Sequence, residues 1–465
     1  MSAPVLWFVI PFCWGGFALL FSEKQKLVTA ISSALCLFLA FIALTIPINS
    51  MIIIGNTSII FISSEEILGR SMVLERSAQP MLAFFYLFTA VWVLGSSAAH
   101  VHRLFVPIAL MDTALMMGVM AAKPFIFGVF LVQFLVLITM PLFWTLRKGE
   151  GVGILRFLVF QIFGMLFLAI GGWLTASVEI NPADSFLVTR AVILFFLGFV
   201  FWLAIFPFHD WIAMVMEETC PYVAGFVVNL LQFSSLFIML TFLNTYVWMR
   251  SFEPLFTALR LVGILMLLIG GVFAFFQDSL QRTQAFSIVA ENGFALFLLG
   301  VNTQPSIRIF LSFLFIRILA GLAWAFGAKI LSWESDLALS DLRGLMRQKP
   351  FVGIALLVSF FSVAGLPLFA GFPLKVAMIA LGFGQSSLIG LSIALGCWLL
   401  IFTGFKLMII FLDPNQAPSF SKESFWQTIF LILMIVLLVG MTIVPDLFDG
   451  FVQGFQSQFS AYAIH

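Results

Sequence analysis

The stretch AGLPLFAGFPLKV, residues 364–376, places two prolines, two glycines and Lys375 inside an apolar segment that runs from residue 350 to 383. Proline removes an amide donor and clashes with the preceding helical turn, and glycine lets the backbone leave helical geometry. The whole segment is too long for a single membrane crossing. The sequence therefore predicts a helix that is interrupted near 364–376, with a lysine just beyond the break.

The composition around this stretch is that of a polytopic membrane protein. The chain has 465 residues, of which 62% are hydrophobic and 9% charged, and its mean hydropathy is +1.16. A soluble protein carries roughly a quarter charged residues. About fourteen apolar spans are predicted, at 5–21, 27–46, 80–97, 104–121, 124–145, 154–176, 188–208, 221–245, 256–276, 284–301, 306–331, 350–383, 389–412 and 424–444. Their length and lack of alternation predict an all-α fold.

Several classes of site are not expected. There is no basic patch for nucleic acid, and no GxGxxG motif or cysteine cluster for a redox cofactor. The four cysteines and four histidines are scattered, so no metal site is predicted. The first apolar segment lacks a basic n-region and a cleavage site, which favours a retained span over a signal peptide.

Loop charges predict the orientation. The loops that alternate from residue 22 onward contain most of the lysine and arginine residues: Lys24, Lys26, Arg103, Arg147, Lys148, Arg282, Arg343, Arg347, Lys349 and Lys422. The opposite loops contain only Arg70, Arg76, Lys123 and Arg250. The first set is expected to be cytoplasmic, which puts both termini on the outer side of a cell (inner) membrane. The longest loop, 47–79, is expected to be a surface turn or hairpin.

A second interrupted segment is predicted at 201–223, where Pro207 and Pro221 bracket a polar stretch with His209. Two interrupted segments in separate halves of a chain are typical of transport folds built from internal repeats. The alternative is a pair of ordinary proline kinks.

Ionisable residues inside spans usually mark ion pathways. The candidates here are Asp112, Glu291, Arg317, Lys375 and Lys406. For Asp112 a polar helix contact is as good an explanation as a proton site, and Lys406 lies close enough to its span end to reach the interface. Arg317 is a permanent cation that needs a counter-charge or a wet cavity. Glu291 and Lys375 are candidates for that counterpart, and the sequence does not fix the pairing.

Three motifs resemble those of the antiporter-like membrane subunits of respiratory complex I, of subunit N or M type. They are FPFHDW at 206–211, QRTQAFSIVAENGF at 281–294, and DLRGLMRQKP at 341–350 followed by SVAGLPLFAGFPLK at 362–375. The same family includes subunits of multisubunit Na⁺/H⁺ antiporters and membrane-bound hydrogenases. The resemblance implies about 14 transmembrane helices with two interrupted helices in inverted five-helix repeats. Pro207, His209, Pro221, Gly365, Pro367 and Gly371 are the implied elements of the two breaks.

The resemblance also implies a division of the chain. Residues 1–120 would hold helices 1–4, and 121–276 the first antiporter-like repeat. Residues 277–412 would form the second repeat, and 413–465 a C-terminal helix and tail.

The family mechanism relies on buried charges that this chain keeps unevenly. The positions where the family has a glutamate or a lysine in its first half are Val136, Trp202 and Gln232, and Gln133 is the polar residue nearest the first of these. Gln281 stands in place of a further lysine. Glu291 and Arg317 occupy central positions, and Lys375 is the channel lysine that is kept.

These residues favour a membrane-arm subunit of an NADH:quinone oxidoreductase that contributes to proton translocation, with a degenerate first half-channel. Lys375 would be the outer-side relay. FMN, Fe–S clusters and quinone are expected on partner subunits, and other membrane-arm subunits and the lipid bilayer are the expected partners. The alternatives are a structural, non-pumping subunit, or a subunit of a cation/proton antiporter, a hydrogenase or an inorganic-carbon uptake complex.

Overall fold

The computed structural model describes residues 2–54, 57–67, 69–181, 184–414, 420–444 and 448–459. Its helices, the first of which follows a π-helical turn at Val5–Val9, are α1 Ile10–Leu20, α2 Gln25–Thr45, α3 Gln79–Ala98, α4 Phe105–Ala121, α5 Ile126–Thr145, α6 Val152–Ile180, α7 Ser185–Trp202, α8 Asp210–Glu218, α9 Pro221–Thr245, α10 Val247–Arg250, α11 Glu253–Phe276, α12 Leu280–Val301, α13 Gln304–Leu331, α14 Pro350–Ala364, α15 Phe372–Gln385, α16 Ser387–Leu412, α17 Phe425–Ile443 and α18 Asp449–Gln458. Short 3₁₀ turns lie at Arg76–Ala78 and Leu345–Arg347.

The helices account for the predicted number of crossings. Within the described residues, 11 helices are long and apolar enough to cross a membrane, and α7 is one of them. The segment Val5–Leu20, helix α4, and α14 with α15 taken as one interrupted crossing are the shorter apolar elements. Counted in this way the chain crosses about fourteen times, and the all-α polytopic prediction is confirmed.

The loop between α2 and α3 forms two hairpins, as predicted. Strands β1 Met51–Ile54 and β2 Thr57–Ile60 pair antiparallel. Strands β3 Ser64–Ile67 and β4 Arg70–Val73 also pair antiparallel. On its other edge β4 pairs antiparallel with β5 Ala122–Lys123, which follows α4.

Three helices form the centre of the bundle. In the most apolar part of α9 every residue is buried, and α12 and α13 are nearly as enclosed. By contrast α6 and α17 bury only a minority of theirs and expose large apolar side chains such as Trp173 and Ile443. The charges in the middle of α12 and α13, Glu291 and Arg317, therefore lie away from lipid, inside protein.

The first predicted interruption is confirmed. Helix α7 ends at Trp202, and the chain then turns through Ala204, whose φ is +53°. Pro207 lies in this turn and His209 precedes α8. After α8, Pro221 is the first residue of α9, where its missing amide is no loss because the first amides of a helix have no intrahelical acceptor.

The second interruption is also confirmed. Helix α14 ends at Ala364, and Gly365 continues with φ +83°, a left-handed conformation that suits glycine. Pro367 lies in the turn. Gly371 precedes α15, and a methyl group there would lie 2.0 Å from the carbonyl oxygen of Ser362. Glycine at 371 thus lets the two helix ends come together.

The order of helices bears on the predicted division of the chain. Three unbroken crossings, α4 to α6, precede the first interrupted helix, and three more, α11 to α13, precede the second. Five-helix units of equal order would therefore begin at α4 and α11, near residues 105 and 253 rather than 121 and 277. The division itself stays a prediction.

Candidate proton path

A buried ion pair joins the two central helices α12 and α13. The Nε of Arg317 lies 2.9 Å from Oε2 of Glu291, and the two side chains are 3% and 1% exposed. Ser287, one turn earlier on α12, donates to Oε1 of Glu291 over 3.2 Å. The counter-charge that Arg317 requires is therefore Glu291.

The arginine side of this pair is incompletely satisfied. Neither Nη1 nor Nη2 of Arg317 has a hydrogen-bond acceptor among the residues that the structure describes, although both are buried. Buried donors without protein partners are usually bonded to ordered water. The pair thus marks a place where water would be held in the middle of the bundle.

Lys375 lies next to this pair on the interrupted helix. Its ammonium is 3.9 Å from the centre of the Phe294 ring and 4.8 Å from that of Phe313. Phe294 is one turn beyond Glu291 on α12, and Phe313 is one turn before Arg317 on α13. Glu291 and Arg317, predicted to be central, and Lys375, predicted to be the outer-side relay, are brought together, with Lys375 displaced about one turn towards the predicted outer side.

The break in the helix makes room for the lysine. A methyl group at Gly365 would lie 2.4 Å from Cγ of Lys375. The side chain is 2% exposed, and its Nζ has no hydrogen-bond partner within the described part of the chain. The ring faces supply the stabilisation instead, since a desolvated cation over an aromatic ring gains roughly 2 kcal/mol.

A cavity of about 190 Å³ lies next to this cluster on the predicted outer side. Ile316 and Leu374, the chain neighbours of Arg317 and Lys375, contribute to its wall. At its rim the Nη2 of Arg308 lies 2.6 Å from Oδ2 of Asp449 on α18. Water in this cavity would contact the chain neighbours of both buried cations.

At the first interruption, neutral side chains form hydrogen bonds with the carbonyls at the end of α7. Gln232 on α9 donates to the carbonyl of Trp202 over 3.0 Å, and Asn292 on α12 donates both to the carbonyl of Leu203 and to Oε1 of Gln232, each over 2.8 Å. The indole of Trp202 donates to the carbonyl of Gln161. The carbonyls freed at the end of α7 are thus satisfied by amide side chains. Gln232 and Trp202 are identified from the sequence as positions where the family has charged residues, but nothing in the sequence indicated the bridging role of Asn292.

The remaining substituted positions lie apart from the charged cluster. Gln281 donates to the carbonyls of Met216 and Thr219 at the end of α8, so it caps that helix. Val136 is fully buried on α5, and Gln133 is nearly buried with no partner for its Oε1 among the described residues.

Two candidates from the sequence lie outside the Glu291–Arg317–Lys375 cluster. Lys406 donates to the carbonyls of Phe275 and Gln277 over 2.9 and 2.7 Å, at the end of α11. Its side chain is 26% exposed and lies 3.9 Å from Asp278. Asp112 is fully buried in α4, where Thr139 of α5 lies within 3.0 Å.

His209 and Arg282 lie near the first interruption on the predicted cytoplasmic side. The imidazole is buried among the rings of Phe206, Phe273 and Phe286. Arg282 forms a half-exposed ion pair with Glu217 over 3.2 Å.

The loop between α13 and α14 is fastened by an ion pair outside the membrane. Lys349 Nζ lies 3.1 Å from Oε1 of Glu334, and the amide of Ser421 donates to Oε2 over 2.8 Å. Partial burial acts to raise the pKa of the Glu334 carboxyl, but hydrogen bonds from Ser421 and Lys349 and the lysine charge outweigh it and hold the pKa below 4.5.

Comparisons with known proteins agree with this architecture. The NADH:quinone oxidoreductase/Mrp antiporter transmembrane family matches residues 152–402. NADH-quinone oxidoreductase subunit N 2 of Acidobacterium capsulatum is 31% identical over 255 residues, which cover 52% of this chain and 50% of that protein. Subunit N of Deinococcus radiodurans is 26% identical over 325 residues, 66% of this chain and 65% of that protein. The chain thus spans half to just under two thirds of these relatives.

Two solved structures share the fold over nearly the whole chain. One is the Mrp complex of Dietzia sp. DQ12-45-1b, with a TM-score of 0.82 at 16% identity, covering 99% of this chain and 98% of the matched one. The other is respiratory complex I of Thermus thermophilus, with a TM-score of 0.80 at 18% identity, covering 99% and 100%. The family match extends over more than half of the residues. The chain belongs to the NADH:quinone oxidoreductase/Mrp antiporter transmembrane family.

Proposed function

We propose that this chain is a membrane-arm subunit of a complex I-type NADH:quinone oxidoreductase and contributes to proton translocation coupled to remote electron transfer. The observation that carries the proposal is the cluster of Glu291, Arg317 and Lys375 at the interrupted helix. The names of the relatives, NADH-quinone oxidoreductase subunit N, support the choice of assembly.

Charge coupling is the physical basis. Glu291 is paired with Arg317, and Lys375 contacts the ring of Phe294, which lies one turn beyond Glu291 on α12. Charges at such distances interact by several kcal/mol at an effective dielectric constant near 20. Gain or loss of a proton at Lys375 would therefore change the strength of the Glu291–Arg317 pair, and the reverse holds too.

The assembly would supply what this chain does not. FMN, Fe–S clusters and quinone would belong to partner subunits, and neighbouring membrane-arm subunits and lipid would surround the helices. The excess of basic residues in one set of loops supports a cell (inner) membrane location with both termini outside.

The test is proton stoichiometry in the reconstituted assembly. Lys375→Ala and Glu291→Gln are expected to lower the number of protons moved per electron. Because Glu291→Gln leaves Arg317 buried without its partner, the double variant Glu291→Gln with Arg317→Gln keeps the test open if the single variant fails to assemble. Lys329→Ala is the matched control, since Lys329 lies at a helix end beside Trp333 and outside the cluster. A stoichiometry unchanged in all of the cluster variants contradicts the proposal.

The neutral first interruption favours a second candidate, a structural subunit that seals and spaces the membrane arm without pumping. The similarity to the Mrp structure leaves a third class, a subunit of a cation/proton antiporter, a hydrogenase or an inorganic-carbon uptake complex. The genes beside this one separate these classes, because each assembly requires its own characteristic partner subunits.

A further inference from the structure

Asp112 is a carboxyl group among helices without charges. Helix α4 packs against α1, α2, α3, α5 and α9, against the uncharged π-helical turn Val5–Val9, and against β4. Helices α1, α3, α5 and α9 contain no Asp, Glu, Lys or Arg at all. The nearest cations on the other two elements, Lys26 in the first turn of α2 and Arg70 on β4, are both exposed.

The titratable groups on these elements do not compensate the carboxyl either. The hydroxyls of Tyr86 and Tyr222 are bonded to the carbonyls of Trp7 and Trp92. The cysteines on α1 and α2 are Cys13 and Cys36, which are free thiols. An isolated carboxylate in such a place costs several kcal/mol, because it is fully buried and no cation among the described residues lies beside it.

Hydrogen-bond accounting at Thr139 points the same way. Its Oγ1 is 3.0 Å from Oδ2 of Asp112 and also 3.0 Å from the carbonyl oxygen of Leu135. A threonine hydroxyl has one hydrogen, and a carbonyl can only accept. If Thr139 donates to Leu135, the second contact is a hydrogen bond only when Asp112 carries a proton and donates it.

The ionised form would use the same atoms less well. Thr139 would have to turn its hydrogen from Leu135 to the carboxylate, which would then have a single donor. Oδ1 of Asp112 has no partner among the residues that the structure describes. One hydroxyl on the neighbouring helix can therefore serve both states by reversing the direction of a hydrogen bond.

We propose that Asp112 and Thr139 form a proton-binding site in the first half of the chain. Asp112 holds the proton as a neutral acid that donates to Thr139. When the proton leaves to water, the Thr139 hydroxyl rotates and donates to the carboxylate. The transport role of this site rests on the proposed function, whereas the bound proton itself does not.

The direct test is infrared spectroscopy of the full chain in lipid nanodiscs. The carbonyl stretching band of a protonated carboxyl is expected in the wild type at neutral pH, shifted in D₂O and lost in Asp112→Asn. In Thr139→Val, which keeps the shape and removes the hydroxyl, the band is expected to persist at higher wavenumber because it loses its hydrogen bond. The proposal is overturned if the wild-type and Asp112→Asn spectra are identical. It is also overturned if the frequency of the band changes neither in D₂O nor in Thr139→Val.

The reconstituted assembly tests the transport role. Asp112→Asn is expected to lower the number of protons moved per electron, and Asp112→Glu, which keeps a carboxyl, to retain more of it. If Lys375→Ala lowers the stoichiometry and Asp112→Asn does not, this role fails and the proposed function stands. If neither lowers it, the proposed function fails as well.

Discussion

The two interrupted helices solve the same backbone problem with different chemistry. At the end of α7 the freed carbonyls of Trp202 and Leu203 accept hydrogen bonds from the amides of Gln232 and Asn292. At the end of α14 glycines bring the chain ends together, and the space beside Gly365 is occupied by the stem of a buried lysine. Both breaks are only partly enclosed by this chain, since Phe206 in the first is 41% exposed and Leu368 in the second is 88% exposed. The difference shows that an interrupted helix does not by itself indicate an ion path, because among the described residues only the second break lies beside a fully buried cluster of charges, whereas the ion pairs near the first break are partly exposed.

The largest effect is expected from Gly365→Ala, which attacks the second break. Its left-handed backbone and the contact with Lys375 together predict a loss of about 2–4 kcal/mol in the free energy of unfolding. Thermal unfolding of the purified chain in detergent measures it. Gly384→Ala, on α15 after the break and with nothing within 4 Å of the added methyl, is the control, and equal stability of the two variants would contradict the geometry.

Gln232→Leu attacks the first break in the corresponding way. It leaves the Trp202 carbonyl without its donor and the Asn292 amide without one of its two acceptors, which predicts a loss of about 1–3 kcal/mol in the free energy of unfolding. Ser235→Ala, whose hydroxyl bonds only within its own helix, should leave the same unfolding transition nearly unchanged. A Gln232→Leu chain as stable as the Ser235→Ala chain would mean that the amide bridge is dispensable.

Lys406→Met tests whether Lys406 stabilises the end of α11 by bonding its carbonyls. The ammonium satisfies two carbonyls at the end of α11, and methionine keeps most of the apolar stem. We expect a loss of about 1–2 kcal/mol in chemical denaturation, because the hydrogen bonds are charged but partly exposed. The exposed Lys422 offers Lys422→Met as a comparison, and an equal midpoint for both variants would argue against the cap.

The smallest effect is expected at the loop that leads into α14. A carboxyl whose pKa is lowered by folding stabilises the folded state above its unfolded pKa, and the stabilisation is lost as the pH falls through the lower folded value. Glu334→Gln should therefore lower the melting temperature slightly near pH 7, with the difference from wild type shrinking as the pH falls below the ordinary glutamate pKa and vanishing once it passes the lower pKa of the folded state. A difference that persists in acid would have to arise from packing rather than from charge.

Much of this fold was predictable because the signals are local. Apolar length predicts crossings, and the proline and glycine residues at 207, 221, 365, 367 and 371 predict both breaks. The gathering of Glu291, Arg317 and Lys375 was predicted only as a set, since the pairing depends on how α12 and α13 are rotated about their axes. The capping by Lys406 and the bridge through Asn292 were not predictable, because both join side chains to carbonyls more than 80 residues away in the chain.

The aromatic seat of Lys375 has a consequence for how fast it can exchange a proton. Phenyl faces attract the ammonium without accepting its hydrogens, and within the described residues no atom accepts a hydrogen bond from Nζ. We expect a proton released from Lys375 to leave on water, for which the cavity lined by its chain neighbour Leu374 is a candidate source. The rate of proton exchange at Lys375 then depends on how often a chain of water molecules reaches the ammonium.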